Sequence, residues 1–180
     1  MISGQDMFGE RLDNLQIIHW PDPRLKIVAK PVELFDEQLK RLVERMIEIM
    51  NQAKGVGLAA TQLGLDLQLF VARSPQEMEP QVYINPQLFE LRGAVTSEEG
   101  CLSVPGITTK IRRTSKMGVR AQDINGKEFE QEADKLLSRV WQHEFDHCSG
   151  LLIIDRMSRL QRISHRRAIR QLQDAYKSAE

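Results

Sequence analysis

The segment from Ala133 to Cys148 constrains the fold more than any other stretch of this sequence. Leu136, Leu137, Val140, Trp141, Phe145 and Cys148 recur at helical spacing and form a wide apolar face, and Gly150 stops the run. A helix with that face must be buried along it, so other elements have to be built around it. The same helix carries His143-Glu144-Phe145-Asp146-His147. His143 and His147 lie one turn apart on one side of it, so both imidazoles can reach one ion, and Glu144 is placed to take a proton from a water on that ion. The blander reading is a solvated polar face. Trp141 and Phe145 argue against it, because a helix buried that deeply would be destabilised by unpaired ionisable groups.

The remaining pattern is that of helices mixed with short, mainly antiparallel strands. Leu39, Leu42, Val43, Met46, Ile47 and Met50 predict a helix over Glu37 to Lys54, capped by Asp36 and ended by Gly55. Strand-like runs follow at Leu67 to Ala72, Gln81 to Ile84 and Leu88 to Leu91. Met117 to Asp123, Asn125-Gly126 and Glu128 to Glu132 read as a hairpin with a tight type I′ turn. Leu151 to Ile154 reads as a buried strand. Ser158 with Gln161 forms a capping box for a last helix, apolar at Leu160, Ile163, Ile169, Leu172 and Tyr176. Without a βαβ rhythm the expected class is α+β: one domain of mainly antiparallel strands around the central HExxH helix. The expected division is an N-terminal extension over 1–14, a catalytic domain over 15–158 and a basic C-terminal helix over 159–180.

Charge and cysteine usage narrow the setting. Residues 156–180 hold seven Lys or Arg against two acids, although the 180-residue chain is neutral overall with 25 of each sign. That is a basic appendage on an acidic body. No apolar run reaches the roughly 18 residues of a membrane span, and Met1 to Asn14 carries Asp6, Glu10 and Asp13 with no apolar stretch, so a cytoplasmic enzyme is expected. In that compartment Cys101 and Cys148 are expected as thiols.

A hydrolytic ion keeps three protein ligands and one open position, so two histidines need a third partner. The metzincin pattern HExxHxxGxxH is matched through Gly150 but ends on Ile153, which excludes that class. Thermolysin-like sites use a downstream glutamate, and the only one after Glu144 is Glu180. Two candidates stay open: Asp155 downstream, or Cys101 upstream.

Three motifs carry a family resemblance. Gly55-Val56-Gly57-Leu58-Ala59-Ala60-Thr61-Gln62 is similar to GxGLAAxQ, Glu99-Gly100-Cys101-Leu102-Ser103 to EGCLS, and Gln142 to His147 to QHExDH, in the order found in peptide deformylases. His19-Trp20-Pro21-Asp22-Pro23-Arg24-Leu25 and Ile154-Asp155-Arg156 extend the match over roughly residues 15 to 160. The resemblance implies an enzyme that removes the N-formyl group from the formyl-methionine of new polypeptides. It implies that Cys101, His143 and His147 bind the metal, that Glu144 is the general acid and base, and that Gln62 and the Leu102 N–H steady the developing oxyanion. It further implies ferrous iron, with zinc, nickel or cobalt able to substitute, whereas ligand spacing alone points to zinc. Gly57 would pair with the substrate backbone, Glu99 is counted with the substrate-binding residues, and Val56, Leu102, Val104 and Val140 are candidates for an apolar methionine slot. Family members usually have leucine where Cys148 stands, and Arg112 replaces a proline ahead of Arg113, a stretch with no assigned role. In bacterial relatives the C-terminal helix can bring the enzyme to the ribosome; neither membrane nor DNA is expected as a partner. Two other readings use the same helix: a metalloendopeptidase with Asp155 as third ligand, and a noncatalytic metal-binding module.

Overall fold

The computed structural model describes residues 12–74 and 79–178. The expected N-terminal extension therefore lies outside the described residues as far as residue 11. The chain forms strands β1 (Gly57–Ala59), β2 (Leu69–Ala72), β3 (Gln81–Arg92), β4 (Val95–Gly100), β5 (Thr108–Arg113), β6 (Lys116–Gln122) and β7 (Glu128–Asp134). Its helices are α1 (Glu37–Gln52), α2 (Lys135–Cys148), α3 (Ile153–Arg156), α4 (Arg159–Ser164) and α5 (Arg166–Lys177). An antiparallel sheet runs β1-β2-β3-β6-β7, and β4 pairs with β5 in a separate two-stranded sheet. The α+β expectation holds.

Strand alternation decides what covers each face of the large sheet. Leu58, Leu69, Val71 and Ile84 point into one apolar cluster with Leu42, Val43, Met46 and Met50 of α1. Ala59, Phe70, Ala72 and Tyr83 point the other way, into a cluster with Val140, Trp141 and Cys148 of α2. Trp141 is fully buried, its ring edge-on to Tyr83 at 5.4 Å, and Tyr83 in turn stacks on Phe70 at 4.9 Å. The sheet is thus clamped between the two long helices. A third cluster joins Leu25, Val104, Ile107 and Leu152 to Met157, and Ile169 and Leu172 of α5 pack against it. The basic C-terminal segment is therefore docked on the domain.

Four local expectations are corrected. The hairpin joining β6 and β7 turns through three residues, not two. Asp123 pairs with Lys127, the Gly126 N–H donates to Asp123 O, and only Gly126 adopts positive φ (+79°), because the Asp123 carboxylate already accepts from the Asn125 and Lys127 N–H groups. Leu151 to Ile154 is not a strand. Asp155 accepts from the Leu152 N–H at 2.8 Å and starts the short helix α3, leaving the apolar side chains in the third cluster. The last helix is broken at His165 into α4 and α5. Gly55 does not supply the left-handed residue ending α1. Lys54 does, at φ +54°, while a Cβ on Gly55 would lie 3.0 Å from Leu102 Cδ1. Glycine at 55 thus serves close packing against the cysteine loop. The Asp36 cap is as expected, its carboxylate accepting from the Gln38 and Leu39 N–H groups.

Helix α2 ends in a Schellman motif, with Gly150 N–H donating to His147 O and Leu151 N–H to Asp146 O. Gly150 has φ +70°, and a Cβ there would sit 2.6 Å from Lys26 O. Gly150→Ala should lower stability by at least about 1–2 kcal/mol, the cost of left-handed backbone, plus whatever displacement of the Lys26 carbonyl adds. Urea unfolding checks this: the midpoint should fall while the slope stays constant.

Candidate active site

The cysteine loop and helix α2 meet over the edge of the large sheet. Cys101 follows directly on β4, His143 and His147 share one side of α2, and a ligand atom from each lies within 4.8 Å of the other two. Cys101 Sγ is 3.2 Å from His147 Nε2, and the two imidazole rings are 5.0 Å apart and tilted by 70°. Among the described residues this is the one such cluster of His, Cys, Asp and Glu side chains. One thiol and two imidazoles converging from two elements fit a divalent cation of borderline softness, with room left in the coordination sphere. Asp155 is elsewhere: its carboxylate caps α3 and is ion-paired with Lys26. The Asp155 reading is thereby corrected in favour of Cys101.

Each functional side chain is held by a neighbour. Gln62 is buried; its Oε1 accepts from the Ala59 N–H at 2.9 Å, which directs Nε2 toward Ser103 Oγ (3.2 Å) and Cys101 Sγ (3.8 Å). Thr61 Oγ1 donates to His147 O at 3.2 Å, tying the turn that carries Gln62 to helix α2. Glu144 is 4% exposed, and its Oε2 has no hydrogen-bond partner. Burial pushes the Glu144 carboxyl up to about 7, against the lowering pull of the His143 and Arg113 charges. Burial also lowers His147 well below the ordinary imidazole range, favouring the neutral ring that a metal ligand requires. Gly57 explains how a carboxylate fits here: a Cβ at that position would lie 2.4 Å from Glu144 Oε1.

Glu99 lines the cleft, and its carboxylate is engaged by Arg113 and His143. Burial works against its charge, but His143 and Arg113 outweigh that and hold the carboxyl down at about 2. Its Oε2 is 3.2 Å from His143 Nδ1, and Arg113 donates to both its oxygens at 3.0 Å. A carboxylate fixed on Nδ1 orients the imidazole so that Nε2 faces the cysteine loop, the orientation a metal ligand would need. Arg113, 5% exposed, also donates to Asp146 Oδ2 at 2.5 Å, and Arg156 donates to both Asp146 oxygens, at 2.5 and 3.0 Å. The line His143, Glu99, Arg113, Asp146, Arg156 runs from the site to the surface. The sequence assigns no role to Arg113; the available signal is the pair of acids inside the motifs, Glu99 and Asp146, which need a cation once buried.

The candidate slot residues Val56, Leu102, Val104 and Val140 all line one cleft of about 420 Å³, together with Gly57, Gln62, Cys101, His143 and Glu144. Ile107 and Leu136 complete its apolar wall; the sequence places Leu136 on the apolar face of α2 but assigns neither residue to the slot. Cys148 faces away from this cleft, packed in the core behind α2, where burial pushes its thiol up to about 12. It fills volume as a small hydrophobe.

Arg113→Met should remove the cation shared by two buried carboxylates, leaving Glu99 with His143 alone and Asp146 with Arg156 alone. The expected loss is about 3–5 kcal/mol of stability and about 10- to 100-fold in metal affinity. Arg113→Lys should restore neither fully, because an ammonium cannot make the bidentate pair. Chemical unfolding and competitive chelation measure the two effects separately.

Comparison with known proteins agrees with this geometry. Residues 14–163 match the family model for polypeptide deformylase. The chain is 48% identical to a peptide deformylase of Chromobacterium violaceum over 147 residues, covering 81% of this chain and 88% of that one. A relative from Neisseria gonorrhoeae is 44% identical over the same shares. Among solved structures, a Legionella pneumophila peptide deformylase superposes with a TM-score of 0.83 at 41% identity, covering 91% of this chain and 97% of the other. Arabidopsis thaliana peptide deformylase 1B gives 0.87 at 36% identity, with 92% and 93% covered. With the match spanning the sheet, the cysteine loop and helix α2 alike, the chain belongs to the polypeptide deformylase family.

Proposed function

We propose that this cleft hydrolyses the formamide of N-formylmethionyl peptides, releasing formate and a free N-terminus. The observation that carries the reading is the convergence of Cys101, His143 and His147 beside a buried Glu144 with an unpartnered oxygen. Cys101, His143 and His147 would hold the metal, and ferrous iron is the ion proposed, with zinc, nickel or cobalt able to replace it. When bound, the cation supplies Lewis acidity, polarising the formyl carbonyl and acidifying water at neutral pH. Glu144 Oε2 takes the proton of the attacking water, and the same carboxyl then protonates the amine nitrogen as the carbon–nitrogen bond breaks. A carboxyl near pH 7 suits both transfers. Gln62 Nε2 and the Leu102 N–H donate to the formyl oxygen as charge develops on it.

The cleft also suits the peptide. It is lined by β1 and β4, and each of these is the outer strand of its sheet. A substrate backbone can add between them as a strand, Gly57 contributing main-chain hydrogen bonds, while the methionine side chain enters the slot of Leu102, Val104, Val140, Ile107 and Leu136. Main-chain recognition tolerates many sequences, which an enzyme acting on nascent chains requires.

Two measurements test this. Glu144→Gln, loaded with metal under anaerobic conditions, should retain the ion but release formate from formyl-Met-Ala-Ala about 10²- to 10⁴-fold more slowly than the parent. Undiminished turnover in the variant, or none in the loaded parent, would defeat the assignment, and a structural metal module would be indifferent to the change. For the nascent-chain context, the exposed arginines of α4 and α5, Arg159, Arg162, Arg166, Arg167 and Arg170, are proposed to contact ribosomal RNA. Cosedimentation with ribosomes should then weaken steeply as salt rises. Salt-independent association, or none, would remove this part of the reading.

A further inference from the structure

The mouth of the cleft carries a charge pattern that the deformylation reading does not use. On α2 the residues facing the cleft form two rows, Leu136 with Val140 and Arg139 with His143, each pair one helical turn apart. The first row belongs to the apolar slot. The second sets a guanidinium one turn before a candidate metal ligand. The half-buried Arg139 makes a single guanidinium hydrogen bond among the described residues, from Nε to Lys135 O at 3.2 Å, and has no carboxylate partner there. On the opposite wall stands Lys54, exposed, carried to the rim by the left-handed turn after α1.

The acids of the same cleft are differently placed. Glu99 is bound to Arg113 and His143. Glu98 stands directly across the β4–β5 ladder from Lys110. Glu99 thus has its cations, and Glu98 is exposed beside Lys110, while Arg139 and Lys54 line the space a peptide would occupy. Neither Arg139 nor Lys54 is ion-paired among the described residues, so both can meet an anionic side chain on a bound peptide.

We propose that Arg139, assisted by Lys54, makes the enzyme select formyl-methionyl peptides with an acidic side chain at the second or third residue. This rests on the deformylase reading and deepens it, naming a substrate class for the same cleft. In an added strand, side chains alternate sides. Methionine fills the slot beside α2, the third side chain returns to the α2 side near Arg139, and the second projects toward the opposite rim.

The test compares kcat/KM, normalised to formyl-Met-Ala-Ala, for formyl-Met-Asp-Ala, formyl-Met-Ala-Asp and their lysine counterparts. The parent should favour the acidic member of at least one pair by roughly two- to five-fold at low salt, the range of a partly exposed ion pair. Arg139→Met should bring the ratio at the third residue toward one, Arg139→Lys should keep much of it, and Arg139→Glu should invert it. Lys54→Met should act mainly on the second residue. A parent ratio at or below one in both pairs would overturn the proposal. So would a ratio unchanged across the Arg139 and Lys54 variants, because the bias would then come from the charge of the metal centre. Absence of turnover on formyl-Met-Ala-Ala would instead strike the deformylase reading itself, so the two failures are distinguishable.

Discussion

The structure turns on one buried cation. Arg113 lies between Glu99 and Asp146 and is the one cation that pairs with both of these buried carboxylates. Glu99 comes from β4, Arg113 from β5 and Asp146 from α2, so the ion pairs join the two-stranded sheet to the central helix. A cluster of this kind contributes little net stability compared with packed hydrocarbon. Its value is geometric: the bidentate fork fixes Glu99, Glu99 fixes the His143 ring, and the ring presents its other nitrogen to the cysteine loop.

The rest of the site is positioned by close approach. Gly57 brings β1 so near α2 that the Glu144 carboxylate occupies the volume a Cβ would take. Gly55 does the same for Leu102. The Gln62 amide is oriented through the backbone N–H of Ala59, a residue whose side chain faces the α2 cluster. The catalytic groups are therefore held by backbone and glycine positions inside the clamp formed by α1, the sheet and α2. Movement of any one layer would be felt by Glu144.

This explains which features were legible in the sequence. Helices α1 and α2 announce themselves because each buries one face at the three-and-four period, and β6 with β7 because alternation and Asn125-Gly126 agree. The joined strand β3 was read as two, because Asn85 and Glu90 adopt positive φ and the register with β6 shifts near each, breaking the alternation. Strands β4 and β5 were missed for a related reason: Thr96, Glu98, Thr108 and Lys110 are exposed, and their partners make only part of a core, so little hydrophobic period survives. Leu151 to Ile154 misled because a short apolar run has no period, and Asp155, which decides its conformation by capping, lies just beyond it. Arg113 was invisible as a functional residue because burial of a charge depends on what folds over it, here two acids 14 and 33 residues away in sequence.

Helix α2 also shows why a short motif underdetermines chemistry. HExxH places two imidazoles and a carboxylate on one side of α2 whatever the third ligand is. What separates a deformylase from a peptidase is the strand pair that delivers Cys101, and that pair stays attached to α2 through Arg113. In the proposed reading Cys101 would be the softest of the three donors, and Glu144 beside it would carry the proton transfer. The same strand pair offers β4 as one wall of the cleft while β1 offers the other. The candidate ligand Cys101 and one wall of the cleft thus both depend on the small second sheet, which ions and the third apolar cluster together hold against the central helix.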